Sequence, residues 1–131
     1  MSLFVDASAL TAIMTKERDH LALERLFGAD EDRLYSAVAT WETARALATI
    51  RSVSIDEAQA EIAQFAEDFS MRLVSIGAQE AQLAIAAHDR YGKGRHPAKL
   101  NMGDCFAYAC AKANGATLLY TGDDFARTDL A

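Results

Sequence analysis

Residues 3–14 read LFVDASALTAIM, and the change of pattern at Asp6 decides the fold. Leu3-Phe4-Val5 is a short apolar run of strand type, and Asp6 ends it. Ser8 is placed as the N-cap of a helix over Ala9–Met14. A strand that passes straight into a helix opens an α/β unit, and the same alternation recurs along the rest of the chain.

Leu21, Leu23, Leu26 and Phe27 keep helical spacing over 18–27, with Gly28 as a stop. Arg33 to Ser36 reads as a second strand, followed by a helix from Val38 to Arg51 rich in alanine and leucine. Ser54 and Glu57 form a capping-box pattern. The helix it opens runs to Phe69, with Ile55, Ala58, Ile62, Phe65 and Phe69 on one side. Met71 to Ile76 reads as a third strand and Ala78 to Tyr91 as a helix. Gly92 to Asn101 is a loop, Gly103 to Asn114 a helix, and Thr117 to Tyr120 a fourth strand leading into Gly122-Asp123-Asp124-Phe125. Strands alternating with helices imply a small parallel sheet of four or five strands flanked by helices on both faces. The chain ends soon after Asp129, so a fifth, final edge strand is expected to be short or absent.

The 131 residues, 51% hydrophobic and 24% charged, suit one domain spanning 1–131 that buries a core without staples. No apolar run is long enough to cross a bilayer, and Met1–Asp6 lacks the pattern of a signal peptide, which points to the cytoplasm. Cys105 and Cys110, five apart on a helix, are expected to be buried free thiols. His20, His88 and His96 stand in no metal-type spacing, and no Walker or dinucleotide glycine motif occurs. A formal net charge of −6 argues against a nucleic-acid partner unless the acids gather at one site and a cation neutralises them.

The placement of the acids meets that condition. In parallel α/β sheets, ligands bind at the carboxyl ends of the strands. Asp6 ends the first strand, and Glu42 lies in the first turns of the helix after the second. Asp104 begins the helix after the loop, and Asp123 and Asp124 follow the last strand. Two carboxylates about 4 Å apart repel by about 4 kcal/mol at an effective dielectric near 20. A shared proton or a bound cation must therefore relieve such a group. Hard oxygen ligands without histidine suit Mg²⁺ or Mn²⁺. A cation so held can activate water against a phosphodiester. Ser8, Thr40 and Asn101 are placed to steady ligands or waters behind the carboxylates.

Purely structural explanations stand beside each of these. Asp6 can form a turn, Glu42 can pair with Arg45 one helical turn on, and Asp104 can favour a helix dipole. Arg90, Lys93, Arg95, His96 and Lys99 make a basic stretch that either leads an RNA backbone toward Asp104 or is a solvated loop. Arg45 can reach a phosphate or make a surface ion pair. Trp41 can stack on a base or pack in a core or at a dimer face. Leu10, Ile13, Met14, Leu21, Leu23 and Leu26 exceed what one small core needs, which suggests a partner surface on the first two helices.

Four segments in order, FVDASAL (4–10), SAVATWETARAL (36–47), LNMGDCFAYACAK (100–112) and LLYTGDDFARTD (118–129), resemble the PIN-domain family, and within it the VapC-like toxins. The resemblance runs almost end to end. It implies an Mg²⁺- or Mn²⁺-dependent ribonuclease, a homodimer, and a VapB-like antitoxin that blocks the acidic pocket. Asp6, Glu42 and Asp104 match the family's first three acids. The fourth falls within Gly122-Asp123-Asp124-Phe125, where Asp123 is the match chosen and Asp124 a partner or replacement.

Two other classes remain to be separated from this one. An acid-cluster phosphotransfer protein would use Asp6 as a phosphate acceptor, but it needs a lysine at a later strand end, and these segments carry none. A non-catalytic PIN-like binding module would keep the fold without the chemistry, but all four acid positions are filled.

Overall fold

The computed structural model describes residues 1–131. Its elements are β1 (Ser2–Val5), α1 (Ala7–Met14), α2 (His20–Ala29), β2 (Asp32–Tyr35), α3 (Ala37–Arg51) and α4 (Ile55–Asp68), then β3 (Arg72–Leu73), α5 (Ala78–Tyr91), α6 (Met102–Ala113) and β4 (Thr117–Leu119). A single 3₁₀ turn, Phe125–Arg127, follows. The four strands form one parallel sheet in the order β3-β2-β1-β4.

Side chains alternate across a strand, and β1 uses that period to feed two cores. Phe4 stands opposite Leu34 of β2 and Leu118 of β4. All three pack with α5 and α6 through Ala84, Ala87, Cys105, Ala109 and Cys110. Leu3, Val5 and Leu119 point the other way, onto Leu10, Ile13, Leu47 and Ile62 of α1, α3 and α4. Phe4, Val5, Leu10, Leu34 and Leu47 are wholly buried. Each such side chain contributes about 1.5–3 kcal/mol relative to exposure. Both cysteines are buried free thiols.

The structure departs from the sequence reading at several boundaries. The third strand is two residues long, because it is a sheet edge held on one side only, by Leu34↔Arg72 and Tyr35↔Leu73. Beyond it Ile76 leaves the ladder and packs on the α5–α6 core. The edge is closed by an Arg72–Asp32 ion pair of 2.9 Å, a charged guard of the kind that discourages edge pairing. The sheet has no fifth strand. Ser8 is not the cap of α1; that role falls to Asp6, whose extended backbone leaves the helix to begin at Ala7.

Gly28 does not stop α2, which runs on to Ala29. The carbonyls at that end are taken by the Arg33 guanidinium, which also donates to Phe69 O beyond α4 and so ties two helix ends together. Leu10, Ile13, Met14 and Leu23 enter the core, whereas Leu21 and Leu26 stay exposed.

Candidate metal centre

Each acid is placed by the junction that carries it. Asp6 closes the β1 ladder by donating its N–H to Leu119 O at 3.0 Å. At the same residue the chain turns into α1, so the carboxylate caps the helix. Asp6 Oδ2 accepts from Ser8 N at 3.0 Å and from Ser8 Oγ at 2.6 Å. That double role leaves Asp6 only 4% exposed. Ser8 Oγ also accepts from Thr121 N at 3.2 Å, fastening the loop after β4 to the first acid. Ser8→Ala leaves Thr121 N unpaired and removes one support of Asp6. Stability should fall by about 1 kcal/mol, read as the midpoint of urea unfolding.

Asp104 belongs to a reciprocal cap. Asn101 Oδ1 accepts from Asp104 N at 2.9 Å, and Asp104 Oδ2 accepts from Asn101 N at 3.1 Å. This fixes the carboxylate in the first turn of α6 and leaves Asp104 Oδ1 without a hydrogen bond. Asn101 is therefore spent on the cap and is not turned to a ligand. Glu42 rides on α3, whose start is set by Ser36 Oγ accepting from Ala39 N at 3.2 Å. The Glu42 carboxylate lies against Gly103 of α6, where an added Cβ would meet its three terminal atoms closer than 3.0 Å. Asp124 is held by its neighbour Phe125, which is buried in the α5–α6 core and tilted against Tyr120 at 5.2 Å.

The electrostatics join these four segments. Burial raises the Asp6 carboxyl above the ordinary carboxylate range, Ser8 opposes the rise, and the charge of Asp124 adds to it. Burial and the charge of Asp6 lift Glu42 to about 7. Burial lifts Asp104 to about 7, with Asp6, Asp124 and Glu42 each contributing through their charge. From the last segment it is the charge of Asp124 that acts on Asp6 and Asp104. The dipeptide Asp123-Asp124, which follows the turn at Gly122 with its φ of +89°, gives no hint in sequence of which member does so.

No three acidic, imidazole or thiol side chains are drawn together at ligand distances. The Glu42 carboxylate rests against Gly103, and the charge of Asp6 acts on both Glu42 and Asp104. Glu42 lines a surface hollow of about 460 Å³ with Trp41, Arg45, Ala46, Thr49 and Ile50, and two others lie away from the acids. One of about 490 Å³ runs between α1, α2 and α4, and one of about 480 Å³ between α3, α4 and β3. A donor set of carboxylates alone, sharing unrelieved charge and with Asp104 Oδ1 and the whole of Glu42 free of hydrogen bonds, fits a hard dication.

The supporting residues divide. Ser8 is beside an acid, as described. Thr40 turns its hydroxyl back onto Ser36 O at 3.0 Å and caps nothing outside its own helix. Arg45 makes no pair with Glu42; its guanidinium lies over the Trp41 ring at 4.9 Å. Trp41 is 57% exposed, so it is not a core residue. Arg95 is bound to Asp89 at 3.2 Å, and His96 Nδ1 accepts from Ala98 N at 3.0 Å. Lys93 lines a cavity of about 490 Å³ with Asn101, Met102 and Cys105, next to the cap that holds Asp104. The sequence reading missed Gly103, although a glycine in the first turn of a helix was itself a signal, since the helix gains nothing from it.

Comparison with known proteins places this arrangement. The sequence profile of the PIN domain matches residues 3–130. The chain is 42% identical over 127 residues to Ribonuclease VapC of Mycolicibacterium smegmatis, covering 97% of this chain and 96% of that one. It is 40% identical over 139 residues to a VapC ribonuclease of Rhizobium meliloti, covering 97% and 98%. Among solved structures, the sarcin–ricin loop-cleaving toxin VapC20 of Mycobacterium tuberculosis superposes with a TM-score of 0.74 at 20% identity, over 95% of this chain and 92% of that one. A toxin–antitoxin complex from Klebsiella pneumoniae gives a TM-score of 0.70 at 17% identity, over 99% and 94%. The structures attest the fold, and the profile and the relatives attest the lineage: the chain belongs to the PIN-domain family.

Proposed function

We propose that this protein is the ribonuclease toxin of a toxin–antitoxin pair, hydrolysing RNA phosphodiester bonds with Mg²⁺ or Mn²⁺ held by Asp6, Glu42, Asp104 and Asp124. The observation that carries the reading is the set of carboxylates brought from separate segments with no basic partner: Asp6 and Asp104 are buried at the starts of α1 and α6, and Glu42 lies against Gly103 beside Asp104. The names of the relatives, VapC ribonucleases over nearly the whole chain, support the choice of RNA as substrate.

When bound, the cation supplies Lewis acidity, offsetting charge on the phosphate and lowering the pKa of water. The chain's own part is positional. Asp104 presents Oδ1 from a capped helix start, and Asp6 presents a carboxylate pinned by Ser8. The loop of Asp124 is tied to Ser8 through Thr121. Lys93 and Lys99, exposed and without acidic partners, lie along the segment leading to Asp104 and are available to phosphates. They answer in part the objection from net charge.

An antitoxin and a second copy of the chain are the expected partners. Leu21 and Leu26 of α2 are exposed, apolar surface that a partner would cover. No helix is long and apolar enough to cross a membrane, in keeping with action in the cytoplasm. The phosphotransfer alternative loses ground because no lysine acts on Asp6. The inert-module alternative draws on the lack of three side chains at ligand distances, and the response of cleavage to metal decides for or against it.

The test is cleavage of purified RNA by the purified chain with Mn²⁺, with EDTA, and with Mn²⁺ restored. Cleavage should stop in EDTA and return with metal, leaving 5′-phosphate ends that accept ligation. Undiminished cleavage in EDTA, or 2′,3′-cyclic phosphate ends, would refute the proposal.

A further inference from the structure

We propose that Gly103 is a positioning residue: its missing side chain forms the notch that seats the Glu42 carboxylate beside Asp104, and the notch sets how strongly the acids hold a cation. The inference rests on the metal reading above and adds to it a residue that bears no ligand atom.

Gly103 is buried in the first turn of α6, between Met102 and Asp104. Glycine is a poor choice there. It loses more backbone freedom on folding than alanine does, and the position calls for no special conformation. Among the glycines, only Gly94, Gly115 and Gly122 adopt positive φ, and Gly103 does not. A steric reason is left, and the structure shows which one. The three heavy atoms nearest to a Cβ built on Gly103 are Oε2, Cδ and Oε1 of Glu42, all closer than 3.0 Å. Had the glycine served the approach of α6 to α3, the nearest atoms would be α3 backbone, or Ala39 and Thr43. The space a Cβ would take is held by the Glu42 carboxylate.

That carboxylate has nothing else to hold it. Glu42 makes no hydrogen bond and no ion pair, and Arg45, its candidate partner, is occupied on Trp41. A glutamate side chain has three rotatable bonds and keeps a fixed place only where its surroundings leave it one. Here the surroundings are the bare Cα of Gly103. Asp104 is the next residue, already fixed by Asn101, so the notch sets the spacing between two of the four acids. A methyl group at 103 would displace the Glu42 head from this seat beside Asp104.

The test is a four-cornered comparison of the full chain with Gly103→Ala, Glu42→Ala and the double variant, reading Mn²⁺ affinity by calorimetry and the thermal midpoint without metal. Gly103→Ala should bind Mn²⁺ about tenfold more weakly, in the range seen when the supports of metal ligands are removed. Its midpoint should be unchanged or higher, because alanine favours the helix. Glu42→Ala should also bind weakly. Adding Gly103→Ala to it should cost at most about twofold more, since no carboxylate remains to be displaced.

Equal affinity of Gly103→Ala and the unaltered chain would overturn the inference, as would a second full loss in the double variant. Should Gly103→Ala fail to fold, recovery of the midpoint in the double variant supports the notch, and lack of recovery overturns it. If the unaltered chain itself bound no Mn²⁺, the metal reading would fall and this inference with it. If the unaltered chain binds and Gly103→Ala binds equally, this inference falls alone.

Discussion

Asp104→Asn should fold, keep the α6 cap and lose RNA cleavage. Asparagine keeps the oxygen that accepts from Asn101 N, so the reciprocal cap survives the change. What disappears is one negative charge from a set that includes Asp6, Asp124 and Glu42. The cleavage rate in Mn²⁺ should fall by about 10²–10³-fold or more, the scale seen when one preorganised electrostatic contact is lost. Asp6→Asn should behave alike, because an amide oxygen can still accept from Ser8 N. The metal-free variants should melt higher than the unaltered chain at neutral pH, since each removes like-charge repulsion. Loss of activity with gain of stability separates a ligand from a structural residue. Retained cleavage by Asp104→Asn would end the proposed mechanism. In the same assay Asp124→Asn should lose most of the activity and Asp123→Asn little, because it is the charge of Asp124 that acts on Asp6 and Asp104.

The contrast between Asp123 and Asp124 marks how far the sequence alone can be read. Element types were legible wherever periodicity was long or a cap was distinctive. The short apolar run Leu3-Phe4-Val5 ended by Asp6 revealed a strand, and Ser54 with Glu57 revealed the start of α4. The strand-end placement of Asp6 and the helix-start placements of Glu42 and Asp104 followed from the same pattern. Three things did not follow. The length of β3 depends on its being an edge, a property of topology and not of Met71–Ile76 itself. Thr40, Asn101 and Arg95 have polar groups that suit a ligand, but each satisfies a nearer partner: Ser36 O, the α6 cap and Asp89. Local hydrogen bonds compete for such side chains, and composition does not show which bond wins. Asp123 and Asp124 stand side by side after the turn at Gly122, and adjacent identical residues carry no pattern that separates them.

Without metal, the protein should be most stable in mildly acidic solution and should weaken as the pH rises toward neutrality. The carboxyls of Glu42 and Asp104 ionise at about 7 in the folded chain, against ordinary values of 4.5 and 3.8. Between those limits the folded state binds more protons than the unfolded state. Stability therefore falls with each step in pH and levels off above about 7. Asp6 is raised as well and acts in the same direction.

Asp32 works the other way, since the Arg72 guanidinium and the Ser2 hydroxyl hold it down to about 2. Its contribution is present above its unfolded value and is lost only as the pH falls through about 2, so the two effects occupy separate windows. A thermal midpoint that drops by several degrees between about pH 5 and pH 8 is the expected result, measured by circular dichroism in EDTA. Mn²⁺ binds ionised carboxylates only, so saturating metal should restore the midpoint at about pH 8 and do little at pH 5. At a hundredfold excess over its dissociation constant, a ligand specific to the folded state adds about 2.7 kcal/mol. Asp104→Asn should flatten both the pH slope and the response to metal. A metal-free midpoint that rises from pH 5 to pH 8 would mean that these acids do not share one charged site.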